Sequence, residues 1–203
     1  LETPCGTSLK LGEDQGWAKN LLKALELIPT EFVLYAQEDY WIQSQVENQN
    51  IVDYLSHLES GSADYIRLYP APGPDVILNT DERLGVIAQD SHYRASLQMA
   101  LWRKETLKTL VLAEETPWQF EVNGSKRSQV YANRFWCVTK RRHGIDYVFT
   151  AIVSGYWSEK AFQYAQKEQI EIHFEKLPKK SLYRQLFDYF RSSTYRIKRK
   201  YFG

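Results

Sequence analysis

Two neighbouring carboxylates, Glu38 and Asp39, follow the short apolar run Phe32–Ala36 and precede Tyr40 and Trp41. Carboxylates at such a point can hold a hard divalent cation, because Mg2+ takes oxygen ligands and is commonly bound by one or two carboxylates together with substrate phosphates. An ion held this way is a Lewis acid that neutralises a departing diphosphate. Asp39 is the expected direct ligand and Glu38 its companion, with Mg2+ or Mn2+ as the expected ion. Adjacent acids after a strand are also ordinary solvated loop charges, and the pair alone does not decide between the two readings.

A second acidic stretch, 114–121, reads Glu-Glu-Thr-Pro-Trp-Gln-Phe-Glu. A carboxylate beside an indole can have its pKa raised towards that of a general base, and Glu121 is the first candidate for that task, Glu115 the second. The competing reading makes the acids favourable partners of a helix N-terminus and Trp118 a core residue. Gly124-Ser125-Lys126-Arg127-Ser128 follows, where small residues and two cations suit an anion-holding loop through Lys126 and Arg127. It lacks the phosphate-loop glycine pattern, and a solvated basic turn explains it as well. Arg94 and Gln98 are expected on one face of a strand, meeting a phosphate or a sugar hydroxyl, unless Arg94 is simply paired at a sheet edge. Tyr40, Trp102 and Trp118 offer ring faces to a sugar, although most aromatics in any domain are core. His57, His92, His143 and His173 show no ligand spacing, and Cys5 and Cys137 make neither a CxxC motif nor a disulfide framework.

These residues need elements to position them. Trp17, Leu21, Ala24, Leu25 and Ile28 recur at helical spacing from Asp14 until Pro29 stops the run. Phe32–Ala36 is a continuous apolar run, as in a strand buried on both faces of a sheet. Ile51, Val52, Leu55 and Leu58 mark a second helix, and 64–69 a second strand. This βαβ rhythm predicts a mostly parallel sheet with Glu38-Asp39 at the edge where such sheets bind ligands. Pro70-Ala71-Pro72-Gly73-Pro74 breaks the rhythm, and 76–78 with 84–88 read as a small hairpin over the sheet. Alternation from Tyr93 to Leu101 predicts a strand. Helices are expected over 105–112, from Pro117 onward and over 158–168, and strands over 134–139, 147–153 and 170–174.

The 203 residues, 43% hydrophobic and 14% aromatic, suffice for one sizeable core. No run approaches the roughly 18 to 20 apolar residues of a membrane-spanning helix, and Leu1–Gly12 has no signal-peptide pattern. A cytoplasmic protein is expected. The net charge of +1 hides a split. Residues 176–203 carry nine cations against Asp188 alone, or +8, which leaves 17 basic and 24 acidic residues, or −7, for the rest. Residues 181–202 interleave these cations with Leu, Phe, Tyr and Ile, predicting a basic amphipathic helix that lies on an anionic membrane surface. Nucleic acid is disfavoured as partner, because the acidic body would repel phosphates.

Taken in order, Gly16-Trp17-Ala18 through Leu25, Phe32 through Trp41, Asp64-Tyr65-Ile66-Arg67-Leu68, Tyr93 through Trp102 and Pro117-Trp118-Gln119-Phe120-Glu121 resemble a family of bacterial GT-A-type glycosyltransferases encoded with surface-polysaccharide genes. The resemblance covers about residues 14–175. It implies an α/β fold with a mixed, mostly parallel sheet flanked by helices over 1–175, and the charge composition adds a basic tail over 176–203. It also implies transfer of a sugar from a nucleotide-diphosphate donor to a glycan or lipid-linked acceptor at the inner membrane. Glu38-Asp39 would stand at the family's acidic metal motif and Glu121 near its base. The motif here is Gln37-Glu38-Asp39 rather than two aspartates flanking one residue, and the nucleotide-binding βαβ unit with which such folds begin is not found before the first helix. A non-catalytic binding or scaffold protein that docks through its basic tail is the alternative.

Overall fold

The computed structural model describes residues 6–153 and 155–172. In chain order its elements are α1 Trp17–Leu27, β1 Phe32–Tyr35, β2 Trp41–Ile42, α2 Asn48–Glu59, β3 Tyr65–Arg67, β4 Val76–Ile77, β5 Leu84–Val86, β6 Ala100–Arg103, α3 Lys104–Leu110, α4 Pro117–Arg127, β7 Phe135–Val138, β8 Tyr147–Val148, β9 Ile152–Val153, β10 Tyr156–Trp157 and α5 Glu159–Lys167. The chain divides into two compact units, Leu1–Gln37 with Ser44–Asp146 and Glu38–Gln43 with Tyr147–Gly203. The acidic pair thus belongs to the second unit. The expected boundary at 175 and the basic helix over 181–202 lie outside the described residues.

The first unit is α/β, with a six-stranded mixed sheet in the order β1-β6-β3-β7-β5-β4. Only β3 and β7 run parallel, and the other four pairings are antiparallel. The mostly parallel sheet is therefore corrected. The physical reason is that β6, which comes later in the chain, lies between β1 and β3 and runs against both. β1 is consequently an edge strand rather than one buried on both faces, with Leu34 50% exposed. The hairpin of β4 and β5 forms the opposite edge of the sheet instead of lying over it.

Alternation along the strands sets the two faces. Tyr65, Ala100, Trp102, Phe135 and Cys137 join Ala18, Leu25, Leu107, Leu110 and Phe120 in one core, so α1, α3 and α4 cover that face. Ile66, Leu101 and Trp136 are paired residues of the other face. There His57 of α2 meets the Trp136 ring at 5.0 Å. α1 forms because Trp17, Leu21 and Leu25 make one apolar stripe, and it closes as Ile28 N–H donates to Ala24 O before Pro29. α4 starts at Thr116, whose Oγ1 accepts from Gln119 N at 3.3 Å while Thr116 N donates to Gln119 Oε1 at 2.8 Å. This reciprocal cap satisfies two donors that a helix start otherwise leaves orphaned.

The strand expected over 93–101 is replaced by a buried, irregular strap, and only Ala100 and Leu101 of it reach the ladder. Side chains stand in for a neighbouring strand. Ala95 N donates to Ser125 Oγ (3.1 Å), Leu97 N to Glu121 Oε1 (2.9 Å) and Gln98 N to Ser96 Oγ (3.1 Å). Alternation reports which residues face inward, and it cannot report whether backbone or side chain satisfies the amides.

In the second unit β2 pairs with β8, and β9 with β10, both antiparallel. The expected strand over 147–153 is split in two, where Thr150 takes φ 133 and its amide turns back to Val148 O. α5 is capped by Ser158, which accepts from Ala161 N. Val148, Ala151 and Ala161 are buried beneath Trp41, Trp157 and Tyr164. Of the expected strand 170–174, residues 170–172 are irregular and the rest lies outside the described residues. No described helix is long and apolar enough to cross a membrane.

Candidate functional site

Glu38 and Asp39 form the turn between β1 and β2, Glu38 exposed and Asp39 half-buried. Within the second unit Asp39 O accepts from Ala151 N at 3.1 Å, which fixes the turn. The Asp39 Oδ1 atom is buried and has no hydrogen-bond partner among the described residues. Burial pushes the Asp39 carboxyl above its ordinary value, the Ile152 amide draws it back, and the neighbouring Glu38 charge raises it again. An orphaned carboxylate oxygen beside a second acid fits a divalent cation, which would relieve the desolvation that raises the carboxyl. Among the described residues no group of three or more His, Cys, Asp and Glu converges on one point. A cation here would therefore draw its other ligands from substrate oxygens and water. Tyr40 stacks on Tyr147 with centroids 4.7 Å apart, and Trp41 lies against Trp157 (5.2 Å) and Tyr164 (6.1 Å).

In the first unit the chemistry gathers where α4 meets the carboxyl ends of β3 and β7. Glu121, on the buried face of α4, accepts from Leu97 N, and burial raises its carboxyl, opposed by that hydrogen bond and by the nearby Arg67 charge. Arg67 ends β3 and is fully buried. Its Nη1 donates to Tyr93 O at 3.1 Å, while Nε and Nη2 have no hydrogen-bond partner among the described residues. Sequence reasoning passed over Arg67. The signal was present as a lone cation inside Tyr65-Ile66-Arg67-Leu68-Tyr69, a run that otherwise reads as core.

Several other expected site residues support the fold instead. Arg94 is fully buried, and its guanidinium donates to Ile87 O (3.3 Å), Ser128 O, Ser128 Oγ (3.0 Å) and Ala132 O while lying over the Phe135 ring at 4.4 Å. Desolvation pulls its pKa down to about 10. It clamps the end of α4, with four of its five N–H donors turned to the fold. Gln98 is buried in the strap rather than displayed on a strand face. Glu115 forms a two-pronged pair with Arg127, whose Nη1 donates to Oε1 at 2.9 Å and Nη2 to Oε2. Burial alone would raise the Glu115 carboxyl, but Arg127 and Asn123 outweigh it and hold it below the ordinary range, which makes it a poor base.

The Gly124–Ser128 loop is corrected to the last turn of α4 and the start of a 3-10 turn. Arg127 also donates to Leu110 O, and Lys126 is exposed on the helix surface. Trp102 is fully buried against Tyr65 (4.2 Å) and Phe135 (5.8 Å), so it is core. Trp118 has the opposite character, standing 78% exposed on the first turn of α4. No protein-family model, curated protein or solved structure matches this chain.

Proposed function

We propose that the protein is a GT-A-like glycosyltransferase that moves a sugar from a nucleotide-diphosphate donor to a glycan or lipid-linked acceptor in bacterial surface-polysaccharide synthesis. The observation that carries the reading is the buried, unpartnered Oδ1 of Asp39 in the turn after β1. Asp39, with Glu38, would hold Mg2+ or Mn2+, and the ion when bound supplies positive charge to the leaving diphosphate. Glu121 of the first unit, whose carboxyl is raised by burial, is the general base of this reading for the acceptor hydroxyl. Tyr40, held flat against Tyr147, offers a ring edge near the acidic turn. The cationic residues of 181–202 keep the enzyme at an anionic membrane.

A second reading, a non-catalytic binding or scaffold protein, is favoured by the engagement of Arg94, Arg127 and Trp102 in the fold. Calorimetric melting separates the two. UDP or GDP with Mn2+ raises the melting temperature of a transferase, because a ligand that binds only the folded state stabilises it. Asp39→Ala removes that rise. An unaltered melting curve with every nucleotide, alongside vesicle binding, favours the scaffold.

A further inference from the structure

Arg67 poses a problem that the fold does not solve. A guanidinium stays protonated in a protein, so this side chain is a permanent charge in a site where both charge and donors lose their water. No ion pair engages it among the described residues, and Cys137, whose thiol lies beside it and is itself pushed up by burial, is too weak an acceptor to replace one. Glu121 is near enough to feel the charge, yet its Oε1 is engaged by Leu97 N.

The orphaned donors are not scattered. Nε and Nη2 form one edge of the guanidinium, two roughly parallel N–H groups that match two oxygens of a single phosphate or carboxylate. The Nη1 donor serves the strap through Tyr93 O. The placement also suits a ligand, because Arg67 pairs with Cys137 in the parallel β3–β7 ladder, and open α/β sheets bind ligands outside the carboxyl ends of such strands. What lies against that end is the strap. Tyr93 takes φ 56 and is half-exposed, Ser96 O accepts the Tyr65 hydroxyl at 3.3 Å, and Leu97 hangs on Glu121. Arg94 and Ala95 anchor the middle of this segment, through Ile87 O, Ser128 and Ala132 O and through Ser125 Oγ, so its half-exposed Tyr93 end is the part that opens more readily than the strands around it.

We propose that Arg67 is the receptor for a phosphoryl group, which enters as the half-exposed Tyr93 turn swings aside and sets two oxygens on the Nε–Nη2 edge. A phosphoryl group keeps further oxygens, and further charge, once two are on the edge, whereas a carboxylate has both occupied. The proposal rests on the transferase reading only for the source of the phosphoryl group; its chemistry lies in the first unit and needs no cation.

The test is titration calorimetry of the full chain in EDTA with inorganic phosphate, pyrophosphate, UDP and acetate. Wild type binds at least one of the phosphoryl ligands and prefers it to acetate. Binding of UDP or pyrophosphate but not phosphate identifies a diphosphate source, and equal binding of phosphate identifies a free one. Arg67→Met abolishes the binding, and Arg67→Lys, which keeps the charge but loses the two-donor edge, weakens it about tenfold or more. Absence of metal-free binding in wild type, equal binding of acetate, or unchanged binding in Arg67→Met overturns the proposal. Should Arg67→Met fail to fold, the Arg67 Nε–H signal of the wild type decides, since it must shift on phosphate addition and an unmoved signal is fatal. Loss of this binding with Mn2+-dependent nucleotide binding intact sinks the phosphate receptor alone. Phosphate binding that persists where Mn2+ and Asp39 make no difference sinks the metal-dependent transferase instead.

Discussion

Two arginines of the first unit are buried to the same degree and treated in opposite ways. Arg94 distributes its donors over the carbonyls of Ile87, Ser128 and Ala132 and the Ser128 hydroxyl, and rests on the Phe135 ring. Arg67 has the Tyr93 carbonyl and leaves one whole edge without a partner among the described residues. The glutamates repeat the contrast, Glu115 locked to Arg127 and held low, Glu121 desolvated and held high. Residue type therefore says little about role here. A charge whose donors or acceptors are largely met by the surrounding fold maintains that fold, and one that is buried with a whole edge unmet is where chemistry is to be sought.

The strongest test of that contrast is stability. Arg94→Met strands several buried carbonyls and is expected to cost about 3 kcal/mol or more in urea unfolding. Arg67→Met removes a buried charge in favour of an apolar side chain of similar length, and is expected to fall within about 1 kcal/mol of wild type or to stabilise. Equal losses would erase the distinction. A smaller effect is expected in the pH dependence of unfolding. Glu115, held below its ordinary value near 4.5, contributes stability above that value that is lost as pH falls through the lower folded value. Glu121, held above, contributes stability below its ordinary value that is lost as pH rises through the folded value. Glu115→Gln should therefore flatten the loss of stability on the acid side of the ordinary carboxylate value and Glu121→Gln the loss on its alkaline side, both read from unfolding as the pH is varied across that value. Least of all should Lys126→Ala matter, within about 0.5 kcal/mol, since its side chain is exposed on α4.

The helices were legible because each carries its own local code. Trp17, Leu21 and Leu25 give α1 a stripe, and Thr116-Pro117 with Gln119 announces the start of α4. The turn after β1 was legible too, as acids abruptly following an apolar run. What stayed hidden depends on distant partners. Nothing in Phe32–Tyr35 reveals that β6 flanks it on one side and solvent on the other. Residues 93–99 alternate as a strand does, yet their amides are met by Ser96, Glu121 and Ser125. Arg94 could be recognised as important, but whether it faces a ligand or a carbonyl is settled only by the 3-10 turn 34 and more residues away. Arg67 was hidden by its apolar neighbours, which made the run look like ordinary core.

The insertion of β6 between β1 and β3 also bears on how the chain is made. A ribosome delivers Phe32–Tyr35 and Tyr65–Arg67 long before Ala100–Arg103, the segment that joins them. Neither early strand can find its neighbour until roughly half of the polypeptide has emerged, and β3 must wait further for Phe135–Val138 on its other side. Such long-separated pairings close slowly and leave apolar edges open meanwhile, so the nascent chain depends on protection during translation more than a sheet assembled from successive hairpins would.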